Sequence, residues 1–166
     1  MIVEGQKLWE PSAAFVESSN MTALMHWLGE RQHLQCKNYK ELWQWSVTQP
    51  EAFWAAMWDY FEVISDTPYE RVLSDRQIRP GVRWFEGSRV NFVEHILRHK
   101  GSHAAISAMA ETRDLEVTSW DELASQVRRV ATKLREWGIR PGDRVSAVMP
   151  NRPETVVAML AVISIG

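Results

Sequence analysis

The sequence predicts a mixed α/β fold, in which a tryptophan-rich helical segment precedes a β-hairpin and the start of a β-α-β-α series. Apolar residues recur at helical spacing through residues 1–66, whereas residues 104–119 contain two apolar stretches around a polar turn. Beyond residue 119, helical and extended stretches alternate across short Gly- and Pro-containing turns, as in parallel α/β sheets. The 45% hydrophobic and 24% charged residues exclude a disordered or fibrous chain.

The helices of residues 1–66 are predicted from caps and periodicity. Asn20 is a candidate cap between two short helices, and Asn38 is placed to cap the next one. Pro50 suits the first turn of a helix that runs to about Ile64. The predicted helices cover residues 12–32, 39–48 and 50–64.

Tryptophan is concentrated in this helical segment, where six of the nine tryptophans fall within the first 58 residues. They are Trp9, Trp27, Trp43, Trp45, Trp54 and Trp58. They could form the core of a small helical layer, an interface with the rest of a larger chain, or a stacking platform for a ligand. Their helical spacing favours the two packing roles over ligand binding.

Residues 67–100 have the composition of a linker followed by a short helix. Pro and Gly interrupt the pattern up to residue 87, with one short strand predicted near residues 71–73. A helix is predicted over residues 91–100, with Phe92, Ile96 and Leu97 on its apolar side. Five arginines in the linker could contact phosphates, although a solvated charged linker is the favoured interpretation. They are Arg71, Arg76, Arg79, Arg83 and Arg89.

Residues 101–166 are predicted to start an α/β sheet. Strands over residues 104–110 and 115–119 would form a hairpin, and Ser119 with Glu122 has the spacing of a capping box. The helix that follows would end at Gly138, and residues 144–149 would form the next strand. Asn151 is placed to cap a last helix over residues 153–165, which is apolar nearly all round. Because no strand follows that helix, we expect the chain to be the front portion of a larger protein.

No catalytic or phosphate-binding motif is present. The eight glycines form neither a P-loop nor a Gly-x-Gly-x-x-Gly sequence. His95 and His99 stand one helical turn apart beside Glu94, but without a third ligand we interpret them as two solvent-facing histidines. Ser119 is better explained as a helix cap than as a nucleophile. We therefore expect no catalytic, cofactor-binding or metal-binding residue in this chain.

Charge and cysteine content restrict the partners and the compartment. The formal net charge of −2 argues against a general nucleic-acid binder. Cys36 is the single cysteine, which excludes an intramolecular disulfide and favours a reducing compartment, so we expect the cytoplasm. The longest apolar run, residues 156–165, is shorter than the roughly 20 residues that span a bilayer, so no membrane association is expected.

Several segments resemble a known enzyme family. The segment LWEPS at residues 8–12, the run YKELWQWSVTQPEAFWAAMWDYF at 39–61 and WFEG at 84–87 resemble the N-terminal part of acetoacetyl-CoA synthetases. Residues 117–123, 138–145 and 150–154 resemble adenylate-forming enzymes more generally. The resemblance covers essentially the whole chain, and the tryptophan-rich part is what indicates the acetoacetate branch.

The resemblance implies a two-step ligase that uses ATP, Mg²⁺ and coenzyme A to activate acetoacetate as an acyl adenylate and transfer it to the thiol. The motifs that bind these substrates lie outside the part of the family that matches this chain, so the chain itself is expected to be structural and inactive. Its partner would be the remainder of the enzyme, with self-association allowed by exposed apolar surface. The implied division is a helical segment at 1–66, a linker and short helix at 67–100, and the start of the truncated AMP-binding domain at 101–166. An acetyl- or propionyl-CoA synthetase fragment and a stand-alone helical interaction module are the alternatives.

Overall fold

A computed structural model describes residues 3–75 and 80–166, which form seven helices and four strands. The elements in chain order are α1 Ala13–Glu17, α2 Asn20–Arg31, α3 Tyr39–Thr48, α4 Pro50–Tyr60, β1 Arg71–Leu73, β2 Trp84–Glu86, α5 Phe92–Ile96, β3 Ala104–Ala110, β4 Arg113–Ser119, α6 Trp120–Glu136 and α7 Pro153–Ile163. They divide into two compact units. Unit 1 is Met1–Val63 with Tyr69–Ser88, and unit 2 is Ile64–Pro68 with Arg89–Gly166.

Side-chain caps start the first three helices of unit 1. The predicted cap Asn38 accepts a hydrogen bond from the backbone N–H of Glu41 at 3.1 Å, which confirms the start of α3. The prediction for Asn20 was wrong, because Ser19 caps α2 by accepting from the Thr22 N–H at 3.2 Å. Asn20 is instead the first helical residue, since the hydroxyl one position earlier already satisfies that orphan N–H group.

Helix α4 begins at Pro50 as predicted, but it ends at Tyr60 rather than near Ile64. Glu62 adopts a left-handed conformation with φ of 48°, and the Val63 N–H bonds back to the Trp58 carbonyl. This closing pattern satisfies carbonyls at the end of a helix and turns the chain away from its axis. The apolar residues Val63 and Ile64 therefore follow the helix instead of continuing it.

The core of unit 1 is aliphatic. Its buried residues are Leu24, Leu28, Leu42, Ala56 and Met57. Trp27 and Trp45 pack against the edge of this cluster, whereas Trp43 and Trp54 stay 48% and 43% exposed. The expectation that tryptophans form the core is therefore correct only in part: they border a core made by leucines of α2 and α3 and by α4.

The predicted strand near residue 71 is confirmed as β1, and it pairs with β2, which the sequence pattern did not predict. The pairing is antiparallel, with Arg71 opposite Glu86 and Leu73 opposite Trp84. Phe85, at the centre of β2, has a φ of 47°, a left-handed conformation that is uncommon for a bulky residue. The strand has only three residues, which is too short for an alternating pattern to be recognised in the sequence.

Unit 2 packs helices α5, α6 and α7 with the β3–β4 hairpin. The capping box is confirmed, because Ser119 accepts from the Glu122 N–H and Glu122 accepts from the Ser119 N–H. Helix α6 buries Leu123, Val127 and Ala131, and Gly138 follows the helix with a φ of 91°. The predicted apolar side of α5 was wrong for Phe92, which is 59% exposed, while Val93 is buried against α6 and α7.

The strand predicted at residues 144–149 does not form, because no strand among the described residues lies beside it. Two further predictions in this region were wrong. The cap position of α7 is Arg152, without a side-chain bond, and Asn151 lies one residue before it and makes no capping contact; Pro153 begins the helix. Helix α7 also ends at Ile163, two residues before the predicted end.

Candidate functional site

The arginines that could have bound phosphate are paired with a carboxylate within unit 1. Arg71 donates through Nε and Nη2 to Oε2 of Glu86, at 2.9 and 2.6 Å, and Arg83 Nε lies 2.6 Å from Oε1 of the same residue. Through these two ion pairs, Glu86 connects Arg71 at the start of β1 with Arg83, the residue before β2. Arg76 and Arg79 lie outside the described residues, and Arg89 belongs to unit 2. The predicted arginine cluster is therefore not a preformed phosphate cradle in the described part of the chain.

The two histidines of α5 and its C-terminal extension have separate packing roles. His95 accepts the Ile64 N–H on Nε2 at 2.8 Å, and its Nδ1 lies 3.1 Å from the Asn91 carbonyl oxygen. The ring of His99 packs on Trp120 with 4.8 Å between centroids. The solvent-facing interpretation therefore holds for His99, which is exposed, but not for His95, which is half-buried and hydrogen-bonded through both ring nitrogens. Among residues 3–75 and 80–166, no three His, Cys, Asp or Glu side chains are grouped to hold a metal ion.

The tryptophans of α4 join an aromatic cluster with β1 and β2. Trp58 contacts Tyr69 and Phe85, with ring centroids 5.2 and 4.5 Å away, and Trp54 meets Trp84 edge to face at 5.8 Å. Phe85, whose ring packs on Trp58, is also the residue with the left-handed backbone conformation in β2. Each ring contacts the face or the edge of another ring in the cluster. This arrangement is typical of packing and not of an open platform on which a ligand stacks.

An open apolar groove of unit 2 lies between residues 145–149 and helix α7. Val145, Ala147 and Met149 line one wall, whereas Val148 between them is fully exposed. This alternation is the side-chain period of a β-strand. Yet no backbone hydrogen bond joins residues 145–149 to any strand in the described part of the chain. The helix wall of the groove consists of Thr155, Ala158, Met159, Val162 and Ile163.

An ion pair links the hairpin to the start of α7. Arg113 Nη1 lies 3.2 Å from Oε1 of Glu154, which is 41 residues away, and 3.6 Å from Oε2 of Glu116. The backbone N–H of Glu154 itself, at the helix start, and then the Arg113 side chain hold the pKa of Glu154 below its ordinary value. Both carboxylates are exposed, so this contact positions the hairpin tip and provides no buried acid or base.

The remaining nucleophile candidate, Cys36, is not activated. Burial, followed by the negative charge of Glu41, raises the pKa of its thiol. A raised pKa leaves less thiolate at neutral pH, which is the opposite of a reactive cysteine.

No helix in the described residues is long and apolar enough to cross a membrane.

Comparison with known families finds two matches along the chain. Residues 39–96 match the family model described as "Acetyl-coenzyme A synthetase N-terminus", and residues 92–166 match "AMP-binding enzyme". The two matches meet at α5.

The chain is also similar to several acetoacetyl-CoA synthetases. It is 40% identical to the acetoacetyl-coenzyme A synthetase of Rhizobium meliloti over 96% of the chain and 24% of the relative, and 34% identical to that of Xenopus tropicalis over 99% and 25%. A solved acetoacetyl-CoA synthetase from Streptomyces lividans superimposes with a TM-score of 0.89 and 38% identity, over 97% of this chain and 25% of that one. The chain thus spans about a quarter of the length of these relatives.

Proposed function

We propose that this chain is the N-terminal part of an acetoacetate–CoA ligase, and that its own role there is architectural. The observation that carries the proposal is the superposition over 97% of the chain at a TM-score of 0.89 and 38% identity. The tryptophan-rich helices of unit 1 would cover part of the large domain, and residues 101–166 would begin its AMP-binding sheet.

The ligase would catalyse ATP + acetoacetate + CoA → AMP + diphosphate + acetoacetyl-CoA. The acid attacks the α-phosphate to form an acyl adenylate with loss of diphosphate, and the CoA thiol then displaces AMP. Adenylation turns a poor leaving oxygen into a good one, and Mg²⁺ would neutralise charge on the triphosphate.

The described residues do not themselves fit a triphosphate or Mg²⁺ site. Arg71 and Arg83 are already paired with Glu86, and no group of three suitable ligands exists among residues 3–75 and 80–166. The catalytic residues would therefore lie in the remaining three quarters of a chain of the relatives' length. We place the whole protein in the cytoplasm, which agrees with a single unpaired cysteine.

The acid is the least constrained part of the proposal. One relative, 31% identical over 96% of this chain, is the malonamoyl-CoA synthetase of Penicillium aethiopicum. That acid, like acetoacetate, carries a second carbonyl group beyond the carboxylate, so both belong to one substrate class. Acetate and propionate, which lack that carbonyl, are the competing substrates.

The decisive experiment uses the full reading frame that encodes this chain. Purified full-length protein should release AMP with ATP, CoA and acetoacetate, and do so faster than with acetate, propionate or malonamate. The isolated 166-residue chain is the matched control and should release none. A stop codon directly after Gly166, or AMP release by the isolated chain, would contradict the proposal.

A second proposal concerns the groove: residues 145–149 would be a strand of the AMP-binding sheet, paired with strands from the rest of the enzyme. Its unpaired backbone and alternating side chains support this, since a parallel strand needs a partner delivered by a crossover helix. Amide exchange at Ala147 and Val148 should be fast in the isolated chain and strongly slowed in the full-length protein. In the isolated chain the open edge favours self-association, which sedimentation velocity would detect as dimers or larger species.

A further inference from the structure

The hydrogen bonds of His95 define its protonation state. A backbone N–H can only donate, so the Ile64 N–H at 2.8 Å requires a lone pair on Nε2. The ring proton must then reside on Nδ1, from which it donates to the Asn91 carbonyl oxygen at 3.1 Å. Both ring nitrogens are used, and the arrangement exists only for the neutral imidazole in the Nδ1–H tautomer.

His95 fastens a segment that links the two units along the chain. Residues 64–68 belong to unit 2, whereas the residues directly before and after them belong to unit 1. Arg89 holds the segment at a second point, because its carbonyl accepts from the Asp66 N–H and from Ser65 Oγ, both at 3.0 Å. Residue 64 itself has its described backbone N–H bond only to His95 among residues 3–75 and 80–166.

We propose that His95 is a proton-sensitive latch for residues 64–68. Addition of a proton to Nε2 would set two donors against each other, the new Nε2–H and the Ile64 N–H, and the latch would open. Among side chains, histidine is the one that ordinarily changes charge between about pH 5 and pH 8, and this sets the pH range of the test. The latch is closed at higher pH and is lost as the pH falls.

The charged residues on the surrounding elements do not reverse the expected pH dependence of the latch. Helix α5 and the residues directly after it carry Glu94, Arg98 and His99. The latched segment carries Asp66, and Arg89 is the residue at which unit 2 resumes after Ser88. The permanent charges are two negative and two positive. The end of α7 that meets Asn91 contributes the uncharged Ile163, whose carbonyl accepts from the Asn91 amide at 3.0 Å. The hydrogen-bond pattern therefore determines which protonation state closes the latch.

Two NMR measurements on this chain test the latch directly. At pH 8, long-range ¹H–¹⁵N spectra should show His95 as the Nδ1–H tautomer. Between pH 8 and pH 5 the protection factor of the Ile64 amide, corrected for intrinsic exchange, should fall by about tenfold, the equivalent of one ordinary hydrogen bond. An Nε2–H tautomer, or an Ile64 protection factor that does not change with pH, would overturn the proposal without any variant being made.

Two variants separate His95 from its neighbours. In His95→Gln the side-chain oxygen can accept from Ile64 but does not titrate, so Ile64 protection should persist at pH 5. His99→Gln removes the other histidine of this region, whose ring packs on Trp120, and should leave the tenfold response intact. A response that survives in His95→Gln, or disappears in His99→Gln, would assign the pH sensitivity elsewhere. The latch concerns residues on this chain alone and is independent of the ligase proposal.

Discussion

Replacement of Leu28 by Ala should strongly destabilise unit 1, because its leucines rather than its tryptophans form the buried core. The Leu28 side chain is 0% exposed and packs among Leu24, Leu42, Ala56 and Met57. A Leu→Ala change at a fully buried site loses transfer free energy and leaves a cavity, which together cost about 2–5 kcal/mol. A loss of about 3 kcal/mol, with a urea dependence of about 1–3 kcal/mol per M, lowers the midpoint by about 1–3 M.

Urea melts followed by circular dichroism would measure this difference without relying on tryptophan emission. Trp43→Ala is the matched control, since it removes a larger side chain that is 48% exposed on the neighbouring helix α3. It should cost less than about 1 kcal/mol. If Leu28→Ala costs under about 1 kcal/mol, or if Trp43→Ala is the more damaging change, then the aliphatic core does not hold this unit and the reasoning fails.

Four further predictions concern unit 2, each measured by the same melts. Ser119→Ala should cost about 1 kcal/mol through loss of the α6 cap. Hydrogen bonds from the Ser119 N–H and hydroxyl lower the pKa of Glu122 in the folded protein. The ionised carboxylate therefore contributes fully to folding stability above its unfolded-state pKa, and this contribution is lost as the pH falls through its folded-state pKa. In Glu122→Gln this loss of stability in acid should be absent. Gly138→Ala should destabilise by about 1 kcal/mol or more, because the site has a φ of 91° with open space around it, and a neutral effect would contradict the backbone argument. Arg113→Met should cost less than about 1 kcal/mol and should remove any salt dependence that its exposed ion pairs contribute.

Local signals in the sequence predicted the local structure well. The Asn38 cap, the start of α4 at Pro50, the Ser119–Glu122 capping box and Gly138 each depend on residues within one helical turn, and all four are confirmed. The errors at Asn20 and Asn151 have one cause. In each case the adjacent residue holds the cap position, Ser19 before Asn20 and Arg152 after Asn151, and composition alone does not say which of two adjacent residues does so.

The candidate site was less predictable because its contacts join residues that are distant in sequence. The bond between Ile64 and His95 spans 31 residues, and the pair of Arg113 with Glu154 spans 41. The i, i+4 spacing of His95 and His99 suggested a shared role, but the structure gives the two rings different partners. Likewise, the sequence favoured a solvated linker for the arginines, with phosphate binding as the alternative, and did not predict that the pairing of β1 with β2 brings Glu86 beside two of them.

The failure of residues 144–149 to form a strand follows from how sheets are paired. Both sheets in the described residues are antiparallel, and each joins strands that are neighbours in sequence order. Residues 144–149 instead lie between two helices, α6 and α7, so a short hairpin cannot supply their partner. A segment in that position pairs in parallel through crossover connections, which require further strands beyond the flanking helices. Residues 145–149 present Val145, Ala147 and Met149 to the groove and leave Val148 exposed, but alternation alone does not make a strand without a hydrogen-bonded neighbour, and none lies beside it in the described residues.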